Sequence, residues 1–95
     1  MASDEIFSAL ADGTRRGIVE ALARSGPCTA TQLASDMPIT RQAVAKHLTH
    51  LKRAELVAPE RKGRETHYQL TPPPLGQAID WLEDVCGEAR RQKAA

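Results

Sequence analysis

Thr40-Arg41-Gln42-Ala43-Val44-Ala45-Lys46-His47-Leu48-Thr49-His50-Leu51-Lys52-Arg53 is the stretch whose reading decides the fold. Val44, Leu48 and Leu51 are spaced by four and three, with Ala54 just beyond, so they share one face of an α-helix. Arg41, Gln42, Ala45, Lys46, Thr49, Lys52 and Arg53 lie off that face and make the other side polar and cationic. Thr40 stands immediately before the periodic run, where a hydroxyl can accept from first-turn N–H groups that lack an intrahelical partner. The spacing predicts a helix of about fourteen residues, anchored on one side and offering hydrogen-bond donors on the other.

Immediately upstream, Thr29-x-x-Gln32 has the capping-box pattern and opens a short helix with Leu33 pointing inward. Asp36-Met37-Pro38 ends it, which leaves Pro38-Ile39-Thr40 as a turn between two helices. Before that, Ile18, Val19 and Leu22 form the stripe of another helix, begun by Asp12 as cap and stopped by Ser25-Gly26-Pro27. Ile6, Phe7 and Leu10 predict a short first helix, interrupted at Asp12-Gly13.

Downstream the period changes. Leu56-Val57-Ala58 precedes a polar stretch, and Thr66, Tyr68 and Leu70 then alternate with His67 and Gln69. That reads as a β-hairpin with Lys62-Gly63-Arg64 near its tip, and Pro59 restricts its strand to an edge. Thr71 and three prolines break the chain, with Thr71-Pro72 suited to be cap and first helical residue. Leu75, Ile79, Leu82, Val85, Cys86 and Ala89, widened by Ala78 and Trp81, predict a last helix of roughly 21 Å. The expected fold is mainly α with a small β-hairpin: a winged helix-turn-helix of five helices and a two-stranded wing, with residues 1–95 as one domain.

Composition sharpens the reading. Of 95 residues 41% are hydrophobic, but 15 are alanine and the aromatics are only Phe7, Tyr68 and Trp81, so the core is thin and self-association is expected. No run of about 18 apolar residues is present, which excludes a membrane-spanning helix. The acidic start Met-Ala-Ser-Asp-Glu is unlike an export signal, and two cysteines 58 positions apart do not make a disulfide framework. A cytoplasmic, nucleoid-associated protein is the expectation.

Net charge is +1, yet unevenly placed: residues 1–37 carry −2, residues 38–70 carry +4 and all three histidines, residues 71–89 carry −4, and the tail from Arg90 carries +3. A basic centre between acidic flanks points to a polyanion partner. Arg41, Gln42 and Lys46 sit at the N-terminal part of the periodic helix, the end that reaches base edges when such a helix enters a major groove. Arginine and lysine match the acceptors of guanine, and glutamine can bond adenine at two points. Arg61, Lys62 and Arg64 around Gly63 suit a wing that touches backbone or minor groove.

Three segments carry a family resemblance: Ala-Leu-Ala-Asp-Gly-Thr-Arg-Arg (9–16), Thr-Arg-Gln-Ala-Val-Ala-Lys-His-Leu (40–48) and Gly-Arg-Glu-Thr-His-Tyr-Gln-Leu (63–70). In order and spacing the chain resembles the ArsR-type winged-helix transcription regulators over roughly residues 5–89. The resemblance implies a bacterial homodimer on a short inverted repeat of double-stranded DNA, usually a repressor. It implies that Thr40, Arg41, Gln42, Ala45, Lys46 and His47 face DNA and that Arg64 serves the wing. Two residues depart from the family pattern: Gly13 replaces a usual proline, and Glu55 stands where glycine is preferred after the recognition helix, so a left-handed cap there strains its Cβ.

Pairing of the first and last helices across a two-fold axis would bury Ile6, Phe7, Leu10, Leu75, Ile79, Trp81 and Leu82, and the resemblance implies the same interface. His47 and His50 lack a third metal ligand nearby, and a phosphate or inter-helix contact is expected of His47. Some family members bind metals through thiolates in the third helix or carboxylate and imidazole groups in the last. Here Ala30–Ser35 has neither Cys nor His and the last helix has no histidine, so no metal or other cofactor is expected. Cys86, among acids and beside the apolar stripe, reads as a small buried hydrophobe; redox sensing through Cys28 and Cys86 is the rival reading. A protein-docking module is the other rival. No nucleophile–base pair or phosphate-cradling loop is visible, so no catalytic residue and no enzyme activity are expected. The sequence names no small-molecule effector.

Overall fold

The computed structural model describes residues 2–94, with side chains described for 4–93. The element order is α1 (Ala2–Leu10), α2 (Gly13–Ser25), α3 (Ala30–Ser35), α4 (Arg41–Arg53), β1 (Val57–Lys62), β2 (Glu65–Leu70) and α5 (Pro72–Ala94). Local chemistry sets these bounds. Asp12 accepts from the Arg15 backbone N–H at 3.0 Å and starts α2. Gly26, at φ 77°, ends it, and its N–H closes on the Leu22 carbonyl. Thr29 and Gln32 exchange reciprocal hydrogen bonds of 2.8 and 3.1 Å at the head of α3, and Thr40 Oγ1 accepts from the Ala43 N–H at 3.1 Å to open α4.

The end of α4 is a Schellman turn. The Glu55 N–H reaches the Lys52 carbonyl at 2.9 Å and the Leu56 N–H reaches the Leu51 carbonyl at 3.0 Å, which requires Glu55 to adopt φ 60°. Leu51 and Leu56, both fully buried, supply the apolar contact that accompanies this geometry. A glutamate occupies left-handed space here, with the Cβ strain its position in the sequence implies.

The core lies where the helical stripes converge. Ile6, Ala9, Ile18, Leu22, Leu33, Val44, Leu48, Leu51, Leu56 and Val57 are buried together, joined by Ala54 and Ala78. Ile6, expected at a subunit interface, is only 1% exposed and belongs to the chain's own core; its neighbours Phe7 and Leu10 are half-buried at the edge. A nine-residue helix with Ile6 and Ala9 directed inward turns Phe7 sideways, and the sequence stripe did not separate the two roles.

β1 and β2 pair antiparallel from Val57↔Leu70 to Lys62↔Glu65, joined by the two-residue turn Gly63-Arg64. Gly63 takes φ 62° at the first turn position, the place where hairpins favour glycine. Cys28 adds a bridge on the far side of β2: its N–H and carbonyl exchange bonds of 3.1 and 2.8 Å with Tyr68. Tyr68 thereby spends its backbone groups on Cys28, so its pair with Pro59 is non-hydrogen-bonded and needs no N–H from proline. The loop before α3 is thus tied to the wing, a link without local sequence signal.

α5 exceeds the predicted segment. Its 23 residues span about 35 Å, with all three prolines accommodated at its start, where the missing N–H groups have no intrahelical partner to lose. Ala78 packs on the core, but Ile79, Trp81, Leu82 and Val85 are each about half exposed. Cys86, expected buried, is exposed on this projecting helix, where no other described element covers it; Cys28 is half-buried, with its thiol donating to the Gly26 carbonyl at 3.3 Å. No described helix is long and apolar enough to cross a membrane.

Candidate nucleic-acid interface

α4 is held on one side by Val44, Leu48 and Leu51, and this fixes what its opposite side presents. Arg41, Gln42, Ala45 and Lys46 are all exposed there. Beside them runs a groove of about 580 Å³, lined by Arg41, Gln42 and Ala45 of α4, by Thr29–Gln32 at the start of α3, and by Arg61, Arg64, Glu65, Thr66 and Tyr68 of the wing. α4 and the hairpin, separate motifs in the sequence, thus share one concave, arginine-bearing wall. Lys62 is exposed at the end of β1, next to the turn.

Not every cation is free to move. Arg61 donates from Nε to the Gly63 carbonyl at 3.0 Å, so it braces the wing tip as well as charging it. Thr40 is exposed, but its hydroxyl is engaged in capping α4. On β2, His67 Nε2 and Glu65 Oε1 lie 3.2 Å apart. Nothing in the sequence pattern marks Glu65; its place at the start of β2 puts a carboxylate among the groove's arginines.

His47 sits on the flank of α4 away from the wing. It is half-buried, with Nδ1 3.5 Å from Arg15 Nη1. The same guanidinium donates from Nε to the Ala9 carbonyl at 2.7 Å and from Nη2 to the Ser8 carbonyl at 3.1 Å; Arg16 Nη1 donates to the Leu10 carbonyl at 2.7 Å. The last turn of α1 contains no basic residue of its own, so its orphan carbonyls are satisfied by two arginines of α2. The hydrogen bond from the Arg15 backbone N–H holds the Asp12 carboxyl below its ordinary range; burial opposes this, and the charge of Arg15, with that of the His47 ring when it is protonated, reinforces it. The sequence pattern marks Arg15 and Arg16 only as part of the Ala9–Arg16 motif. The adjacent pair after an N-cap was the available signal, but its targets lie in other helices.

α3 contributes no thiolate or imidazole, and among the described residues no three Cys, His, Asp or Glu side chains gather closely enough to share an ion.

A helix-turn-helix with an exposed cationic helix, followed by a hairpin whose turn adds further arginine, defines the winged-helix class of DNA-binding protein. A family model described as a helix-turn-helix domain matches residues 10–60. The HTH-type transcriptional regulator Rv2034 of Mycobacterium tuberculosis is 51% identical over 69 residues, which cover 73% of this chain and 64% of that protein. The chain therefore spans less than two thirds of that relative's length. The transcriptional repressor SdpR of Bacillus subtilis is 34% identical over 79 residues, 83% of this chain and 87% of SdpR. Among solved structures, an ArsR-like transcriptional regulator from Rhodococcus sp. RHA1 superposes with a TM-score of 0.90 at 36% identity, covering 99% of this chain and 85% of that one. The chain belongs to the ArsR-type helix-turn-helix transcriptional regulators.

Proposed function

We propose that the protein is a homodimeric, non-enzymatic repressor that acts in the cytoplasm at the nucleoid and reads an inverted repeat in double-stranded DNA. The observation that carries this is the shared wall of α4 and the wing: Arg41, Gln42 and Ala45 face the same groove as Arg61 and Arg64. In the proposed complex α4 enters the major groove, with Arg41, Gln42 and Lys46 at base edges, while Lys62 and Arg64 follow the backbone toward the minor groove. The half-exposed row of Ile79, Trp81, Leu82 and Val85 on α5, with Phe7, Leu10 and Leu75 beside it, supplies the apolar face for a second copy. Two recognition helices related by a two-fold axis would enter successive major grooves about 34 Å apart.

The test is selection of duplexes from a random pool, followed by footprinting of the selected sequence. The expected product is a palindromic site with two protected half-sites one helical turn apart and an affinity that falls steeply with salt. Selection that enriches no sequence, or a single unrepeated half-site, would overturn the reading.

A further inference from the structure

The contact between Arg15 and His47 has a chemical consequence for the face of α4 that points away from the wing. A guanidinium carries five donors and no acceptor. A hydrogen bond across the 3.5 Å between Arg15 Nη1 and His47 Nδ1 requires Nδ1 to accept, which in a neutral ring leaves the proton on Nε2. Nε2 has no hydrogen-bond partner among the described residues. No buried side-chain nitrogen or oxygen there lacks a partner either, so Nε2 is open to solvent.

We propose that Arg15 is a positioning residue for DNA binding: it holds His47 in the tautomer whose outward Nε2–H donates to a backbone phosphate. This rests on the reading of α4 as the helix in the major groove. A helix in that groove has a strand of phosphates along each flank. The wing, with Arg61 and Arg64, serves the flank lined by Arg41 and Ala45. His47 stands on the other flank, beside the start of α2. Arg15 is itself held in place: two α1 carbonyls take its Nε and Nη2, and Asp12 takes its backbone N–H. Fixing the ring before DNA arrives removes the cost of choosing a tautomer and rotamer on binding. The α1 carbonyls that hold Arg15 also tie this donor to the helix that packs against α5.

Two measurements decide the matter, both on the full chain. Long-range proton–nitrogen correlation of the histidine rings in the wild type should show His47 protonated at Nε2 and bare at Nδ1. Arg15→Lys, which keeps the cation but loses the fork, should give a mixture of tautomers. With the duplex selected by the wild type, Arg15→Lys should weaken binding by roughly three- to tenfold, the range of one hydrogen bond. His47→Ala should weaken it at least as much, and the double variant should bind no more weakly than His47→Ala alone. A wild-type His47 protonated at Nδ1 would overturn the proposal, as would losses that multiply independently in the double variant, the mark of a purely structural Arg15. Failure to select any duplex would instead count against the DNA reading on which the proposal rests.

Discussion

Phe7 meets Trp81 edge to face, with ring centroids 5.3 Å apart and planes inclined at 65°. This is an aromatic link between α1 and α5, and it places the indole at the border between the chain's own packing and the open apolar row of α5. Trp81 remains 51% exposed, so half of its surface is available to a second copy.

Trp81→Ala is therefore expected to act twice. The lost edge-to-face pair should cost the protomer about 0.5–1.5 kcal/mol, and the lost apolar cover should weaken association by about 1.5–3 kcal/mol. Light scattering on serial dilution should show wild-type dimers and a variant that dissociates at higher concentration. A wild type that is monomeric at micromolar concentration would remove the proposed interface.

Glu55→Gly tests the strained end of α4. The left-handed conformation costs a residue with a Cβ about 1–2 kcal/mol, partly offset by the greater unfolded-state freedom of glycine, so a net gain of about 1 kcal/mol is expected. The urea midpoint should rise without a change in slope. An unchanged or lower midpoint would mean that the Glu55 side chain contributes more than its backbone strain costs.

Asp12 contributes to the acid limb of stability. Its carboxyl ionises more readily in the folded chain, chiefly because it accepts the Arg15 backbone N–H. A depressed folded value means that the ionised group stabilises the protein above its unfolded value, and that this stabilisation fades as pH falls through the folded one. Asp12→Ala should therefore melt lower than wild type at neutral pH, and the gap should narrow as the solution is acidified. A gap independent of pH would show that the carboxylate's charge is not what the cap uses.

At the wing, Arg64→Ala should lower the slope of log affinity against log salt by about one if the guanidinium neutralises one phosphate. Arg41→Ala and Gln42→Ala should instead relax base preference at particular positions, by about 1–3 kcal/mol of discrimination each. Equal losses on every duplex sequence would assign these two residues to the backbone.

The sequence by itself determined the elements. Asp12, Thr29 with Gln32, and Thr40 satisfy N–H groups three residues along, and the Gly26 and Glu55 turns close on carbonyls within the same helix. Such bonds join near neighbours, so residue type and spacing specify them. The stripe Val44, Leu48, Leu51 likewise fixed which side of α4 would carry its cations, because helical geometry permits no other arrangement. What only the tertiary structure decided were relations between distant segments: Ile6 inward and Phe7 sideways, Cys28 bridged to Tyr68, Arg15 joining α1 to His47, and Cys86 left open on a helix that outruns the core. Each depends on where separate helices and strands come to lie against one another, and that is set by the packing of the whole core, not by any local pattern.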